Sequence, residues 1–314
     1  MEKIATRDAY GQALVKLGHL HEDVVVLDAD LSKSTKTSEF GTAFPERFFN
    51  MGIAEQNMMG TAAGLAAAGK VVFASSFAVF ATGRAWEQVR NSIAYAGLNV
   101  KIAASHAGIT VGEDGASHQS VEDIALMRAI PGMKVLVPAD AVAAEKLVMA
   151  AYREPGPVYL RLGRPAVPVI YAPEQEMNIG RATEVRQGSD ATIIACGVMV
   201  YHALEAAKIL AGAGLEVSVV DMFTVKPLDE DMICRKARET GALVTAEEHS
   251  IIGGLGGAVC EVVSGCCPVP VVRVGIQDLF GQSGTPDELM EYYGLTGKHL
   301  VEAVEKAVRL KKKT

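Results

Sequence analysis

Short β-branched runs alternate with longer stretches of helical period from one end of this chain to the other. That alternation argues for parallel sheets flanked by helices. In the first half, strands are predicted at VVVLD (24–28), FFNMG (48–52), KVVF (70–73), VKIAAS (100–105), KVLVP (134–138) and VYLRL (158–162), with helices over 53–68, 78–96 and 139–152. From Gly163 to Asn178 the period is lost among Pro165, Pro168 and Pro173, the composition of a linker. A second series follows at ATIIAC (191–196), LEVSVVD (215–221), ALVTAE (242–247) and VPVVRV (269–274), closed by a helix from Thr296 into the basic tail RLKKKT. A chain of 314 residues accommodates two such domains at roughly 150 residues each. The expected architecture is therefore α/β, two doubly wound domains over 1–165 and 181–314, the second smaller, joined by a linker at 166–180.

The formal net charge of −7 leaves no basic footprint for a nucleic acid or a membrane surface, and the lysines of the tail suit a helix C-terminus. No apolar stretch is long enough to cross a bilayer, and charged sequence instead of a signal peptide follows Met1, so a soluble, cytoplasmic protein is expected. Five cysteines, odd in number and without a CxxC pair, read as reduced thiols in or near the core. His and Cys are not grouped at metal spacing, so no metal ligands are expected on this chain.

Ligands of open parallel sheets collect at the carboxyl ends of strands, so the loops that follow strands carry the candidates. Glu55 begins a helix directly after a strand; a favourable contact with the helix dipole, worth about 0.5 kcal/mol, would by itself account for it. The next turn brings Phe77 and Phe80 close together, a pair suited to a core but also to enclosing a flat heteroaromatic ring beside that acid. HAGITVGEDGASHQS places His106, Glu113, Asp114 and His118 in one glycine-rich loop, where histidines can move protons near neutral pH and a carboxylate can orient a hydroxyl. An ordinary polar surface loop is the plain alternative. Arg7, Lys33, Ser34 and Arg164 are scattered, although arginine near a carboxyl edge is what phosphate recognition requires. GGLGG at 253–257 lacks the GxGxxG spacing, and GEDG at 112–115 lacks the downstream asparagine of a magnesium-diphosphate motif.

RFFNMGIAEQNMMGTAAGLA, GITVGEDGASHQSVEDIALMRAIPGMKVLVPAD and VVDMFTVKPLD, in that order, resemble the pyrimidine-binding and C-terminal domains of transketolases, which use thiamine diphosphate. The amino-terminal domain that binds diphosphate and magnesium in that family has no counterpart here, so the chain resembles the C-terminal subunit of a split transketolase. The resemblance implies that Glu55 hydrogen-bonds N1′ of the aminopyrimidine from a largely apolar pocket, that Phe77 and Phe80 enclose the ring, and that Asp30 lies near the thiazolium. It further implies that His106 and His118 contact substrate and reacting oxygens and that Asp114 reads the C2 hydroxyl. Arg7, Ser34, His106 and Arg164 fall where the family grips sugar phosphate. Gly83 stands where many members have a third aromatic, and Arg84 is similar to an arginine of deoxyxylulose-phosphate synthases, placed here beside the cofactor.

The implied activity is transfer of a two-carbon ketol unit from a ketose phosphate to an aldose. It would require a partner chain holding the diphosphate and Mg2+ (or Ca2+), in an α2β2 heterotetramer. Two related enzymes share this domain pair: the β subunit of a 2-oxo acid dehydrogenase and a deoxyxylulose-phosphate-synthase-like enzyme. A non-catalytic subunit that keeps the fold is the alternative from another class.

Overall fold

The protein is described here by a computed structural model covering residues 2–312; the end of the basic tail, Lys313 and Thr314, lies outside the described residues. The first half builds a sheet from β2 (Val24–Asp28), β3 (Phe48–Asn50), β4 (Val71–Phe77), β5 (Val100–Ser105), β6 (Lys134–Leu136) and β7 (Val158–Arg161), all parallel to their neighbours. β1 (Lys3–Ala5) and β8 (Ala166–Pro168) form a separate antiparallel pair. The second half builds β9 (Thr183–Arg186), β10 (Ala191–Ala195), β11 (Val217–Asp221), β13 (Leu243–Ser250) and β14 (Val271–Ile276) into a sheet ordered β14-β13-β10-β11-β9, with β9 antiparallel at its edge. β12 (Thr224–Lys226) leaves that domain and adds an antiparallel strand beside β6, giving the first sheet the order β12-β6-β7-β5-β4-β2-β3.

The centre of each sheet is buried on both faces, and its strands are accordingly apolar without alternation. β2 reads VVVLD and every residue of it is buried. β4 extends past the predicted KVVF because small side chains follow, and Ser75 satisfies its hydroxyl on Tyr10 Oη at 2.7 Å. Against this face packs the helix Thr6–Leu20, whose Tyr10, Leu14 and Leu17 recur at helical spacing and are fully buried. Its neighbour, the helix Ala141–Arg153, starts on Asp140, which accepts from Ala143 N at 2.8 Å. Both apolar clusters of the core draw residues from the two halves of the chain, so the domains share a continuous interior.

Three expectations are corrected. The predicted helix over 78–96 is broken into wide, π-type turns over Phe80–Arg84 and Val89–Ala94 with a short helical piece between them. The predicted linker is structured: β8 pairs with β1, Ile170 N and Tyr171 N donate to Asp140 Oδ2 at 2.7 and 2.9 Å, and buried Tyr171 donates to Asp221 Oδ2 at 2.8 Å. Finally, Cys234 and Cys266 form a disulfide with Cα atoms 6.0 Å apart, so only Cys196, Cys260 and Cys267 are free thiols. Local spacing could not reveal that pair, because it is the packing of the helix Glu230–Thr240 against the helix Leu255–Cys266 that brings together residues 32 apart in sequence.

Candidate active site

Five strand ends converge on one edge of the first sheet. Past β3, the helix Glu55–Ala67 turns Glu55, Met58, Met59 and Ala62 inward, so helical period carries the acid into the interior with its apolar neighbours. Glu55 is only 2 % exposed. The apolar pocket expected around it is interrupted by Arg84, whose Nη1 donates to both carboxylate oxygens at 2.9 Å. Arg84 occupies the last of the wide turns Phe80–Arg84, four residues after Phe80, and its guanidinium lies 4.6 Å over the Phe80 ring.

From Phe80 the contacts continue. The His118 ring meets Phe80 edge-on at 5.5 Å between centroids and Phe77 at 6.3 Å. Phe77 ends β4 and stacks on His106 at 3.8 Å. His106 Nε2 lies 3.3 Å from Arg7 Nη1, and the same Nη1 donates to Ser34 O at 2.9 Å. A guanidinium can only donate, so Nε2 is the acceptor and Nδ1 carries the proton, which it gives to Ser105 Oγ at 2.9 Å. Burial, reinforced by Arg7, then Arg164, then His118, pushes the His106 imidazole down to about 3, so it is neutral across the physiological range. The half-buried guanidinium of Arg7 is itself lowered, first by desolvation, with Asp8 opposing and Arg164 adding to the shift.

Eight expected site residues, Glu55, Arg84, Phe80, His118, Phe77, His106, Arg7 and Ser34, thus form one continuous chain of contacts. Arg164 stands beside them: it donates to Val111 O and pairs with Glu113 at 3.5 Å and Asp114 at 3.9 Å, which places Asp114 at the rim. Asp30 is exposed and bonded to Asn50, whose side chain donates to Asp30 Oδ1 at 3.0 Å and accepts from Asp30 N at 3.1 Å. Asp30 and His106 both adopt left-handed backbone, φ 64 and φ 57, conformations uncommon outside glycine and frequent at functional sites. Three participants were not singled out in sequence: Ser105, which accepts the proton on His106 Nδ1, and the buried Gln119 and Glu248, which grip the loop between His106 and Val121. Gln119 could have been noticed as the neighbour of His118; Glu248 lies in the other domain, where nothing in sequence ties it to the loop.

Residues 2–169 match the transketolase pyrimidine-binding domain and residues 180–300 the transketolase C-terminal domain. The chain belongs to the transketolase family. It is 52 % identical over 95 % of its length to a putative transketolase C-terminal section of Methanocaldococcus jannaschii, of which it covers 94 %. It is 44 % identical to the 6-deoxy-6-sulfo-D-fructose transketolase subunit of a Clostridium species, covering 99 % of this chain and 97 % of that one. A solved split-gene transketolase, described as an inactive β4 tetramer, superposes with a TM-score of 0.93 at 59 % identity, covering 98 % of this chain and 99 % of that one. Against longer members such as transketolase-like protein 2 of Mus musculus, 40 % identical over 98 % of this chain, it spans 49 % of the relative's length.

Proposed function

We propose that this transketolase-family chain is the C-terminal subunit of a two-chain transketolase, with 1–165 as its pyrimidine-binding domain, the ordered segment 166–180 as its linker and 181–314 as its C-terminal domain. It works in the cytoplasm with a separate chain that binds the diphosphate and Mg2+ or Ca2+, in an α2β2 assembly. The reaction is transfer of a two-carbon ketol unit from a ketose phosphate to an aldose or its phosphate. The observation that carries this reading is the buried carboxylate of Glu55, linked by unbroken contact through Arg84 and two phenylalanines to two histidines and an arginine.

These residues fit the aminopyrimidine of thiamine diphosphate. A carboxylate held out of water seeks a charged or strongly donating partner, and in the chain alone it takes the half-exposed guanidinium of Arg84. Glu55 would hold the proton at N1′, Phe77 and Phe80 would flank the ring, with Arg84 at its border, and Asp30 would approach the thiazolium. Thiamine diphosphate, when bound, supplies the electron sink on which a C–C bond beside a carbonyl can break and form. His106, as the neutral Nδ1–H tautomer, and His118 would bind and exchange protons with the sugar oxygens, and Asp114 would orient the C2 hydroxyl. Arg7, Ser34 and Arg164 would hold the distal anion. A relative named for a sulfo-fructose substrate suits a ketose ending in an anionic group.

The test is Glu55→Gln in the enzyme assembled with its partner chain, assayed with xylulose 5-phosphate and ribose 5-phosphate. Turnover should fall by on the order of 10³-fold or more with the fold retained. Near wild-type rates would refute the role of Glu55. Turnover of pyruvate without sugar transfer would indicate the dehydrogenase β subunit instead.

A further inference from the structure

The loop that carries His106, Asp114 and His118 is shaped from outside its own domain. Glu248, near the end of β13 and 5 % exposed, accepts from Thr110 N through Oε1 at 2.7 Å. Its carboxylate lies where a side chain at 108 would be: a Cβ on Gly108, which has φ +79, would come within 2.3 Å of Glu248 Cδ. Gln119, 3 % exposed, shares its amide hydrogens among Ile109 O and Gly112 O at 3.1 Å and Gln282 O at 2.9 Å. This draws two turns of the loop onto a carbonyl of the second domain. A Cβ on Gly281 would approach Gln119 Oε1 to 1.7 Å, so the second domain gives up a side chain to admit this amide. At the far end Ser250 N donates to Val121 O at 2.7 Å. Arg161 joins the same contact, donating to Glu248 O at 2.9 Å and to both oxygens of Asp123.

We propose that the C-terminal domain is the mould of the substrate loop, with Glu248 and Gln119 as positioning residues for His106, Asp114 and His118. The proposal deepens the transketolase reading and rests on it in one respect, that these three side chains meet the sugar. Its physical basis is that a loop rich in glycine has many accessible shapes, and removing them before substrate arrives lowers the entropy lost on binding. The fixed points are Thr110, Gly112 and Val121, each held by a group of the second domain or by Gln119 bridging to it. Glu113 and Asp114 stand exposed between them, at the rim where Arg164 pairs with both, while the backbone beneath is held.

The test uses full-length Glu248→Ala, Glu248→Gln and Gln119→Ala. Hydrogen–deuterium exchange is followed in each chain, and steady-state kinetics after assembly with the partner. Glu248→Ala and Gln119→Ala should speed exchange over 106–121 by roughly tenfold or more, with β2 and β4 unchanged. In the assembled enzyme they should lower kcat/KM for the ketose by about 10²-fold, chiefly through KM, while the affinity for thiamine diphosphate stays within about twofold. Glu248→Gln, whose amide oxygen still accepts from Thr110, should recover most of both effects. Unchanged exchange in all three variants, or equal damage from Glu248→Gln and Glu248→Ala, overturns the proposal. Faster exchange with an unmoved KM for sugar overturns the sugar-contacting reading of the loop, and the positioning role with it.

Discussion

His106 should resist protonation, and the cost of that resistance is measurable. The imidazole is 3 % exposed, stacked on Phe77 at 3.8 Å, and faces Arg7 at 3.3 Å. Burial first, and then Arg7, Arg164 and His118, take its pKa down to about 3, whereas in the unfolded chain a histidine titrates near 6.5. Between those values the unfolded state binds a proton that the folded state refuses. The depressed folded value therefore means stability that is present above about pH 6.5 and lost as pH falls toward 3. Between pH 7 and pH 4 the linkage amounts to ~3 kcal/mol from this one side chain. Urea unfolding of wild type and His106→Gln at several pH values, at one protein concentration, should show the wild type losing about that much more stability on acidification than the variant. The other titrating groups are common to both proteins and cancel to first order. In an NMR titration the His106 ring should stay neutral above about pH 5 and report the Nδ1–H tautomer, and Arg7→Met should raise its midpoint. A wild-type midpoint above about 5, or identical acid slopes for the two proteins, would refute the reasoning.

The other expectations concern stability and substrate choice. Arg161→Met strands the buried carboxylate of Asp123, to which Arg161 donates at 2.7 and 3.2 Å, and should cost about 3–5 kcal/mol in chemical denaturation; adding Asp123→Leu should recover much of it. Recovery failing in the double variant would show that packing, not the stranded charge, dominates. Asp140→Ala removes a helix cap and leaves Ile170 N and Tyr171 N without their buried acceptor, a loss of roughly 2–4 kcal/mol readable as a lowered Tm. Arg164→Ala should raise KM for phosphorylated sugars well above any change for unphosphorylated ones; equal changes would exclude a phosphate contact.

Strand positions were legible because buried parallel strands are written as runs of Val, Ile and Leu, and β2 and β5 coincide with their predicted limits. The short strands β1, β8, β9 and β12 escaped, since three or four residues at an edge carry no period, and β8 contains the proline that argued for a linker. Eight of the eleven expected site residues lie in one contact chain because a parallel sheet brings its carboxyl ends to a single edge, so reading post-strand loops reads one place in space. What stayed hidden depended on tertiary packing. Nothing around Glu248 in sequence mentions Thr110, 138 residues earlier, and nothing around Glu55 announces that Arg84 will reach both of its oxygens.

The strand β12 has a consequence for how such a protein can be taken apart. It lies in the second half of the chain yet covers the edge of β6, and Lys226 at its end donates to Arg128 O and Ile130 O in the first half. Cutting between residues 169 and 183 would leave a three-residue ladder of unpaired amides and carbonyls on β6, the kind of open edge that recruits foreign strands. A fragment ending between the two domains would be born sticky. The two domains are bound to travel as one piece.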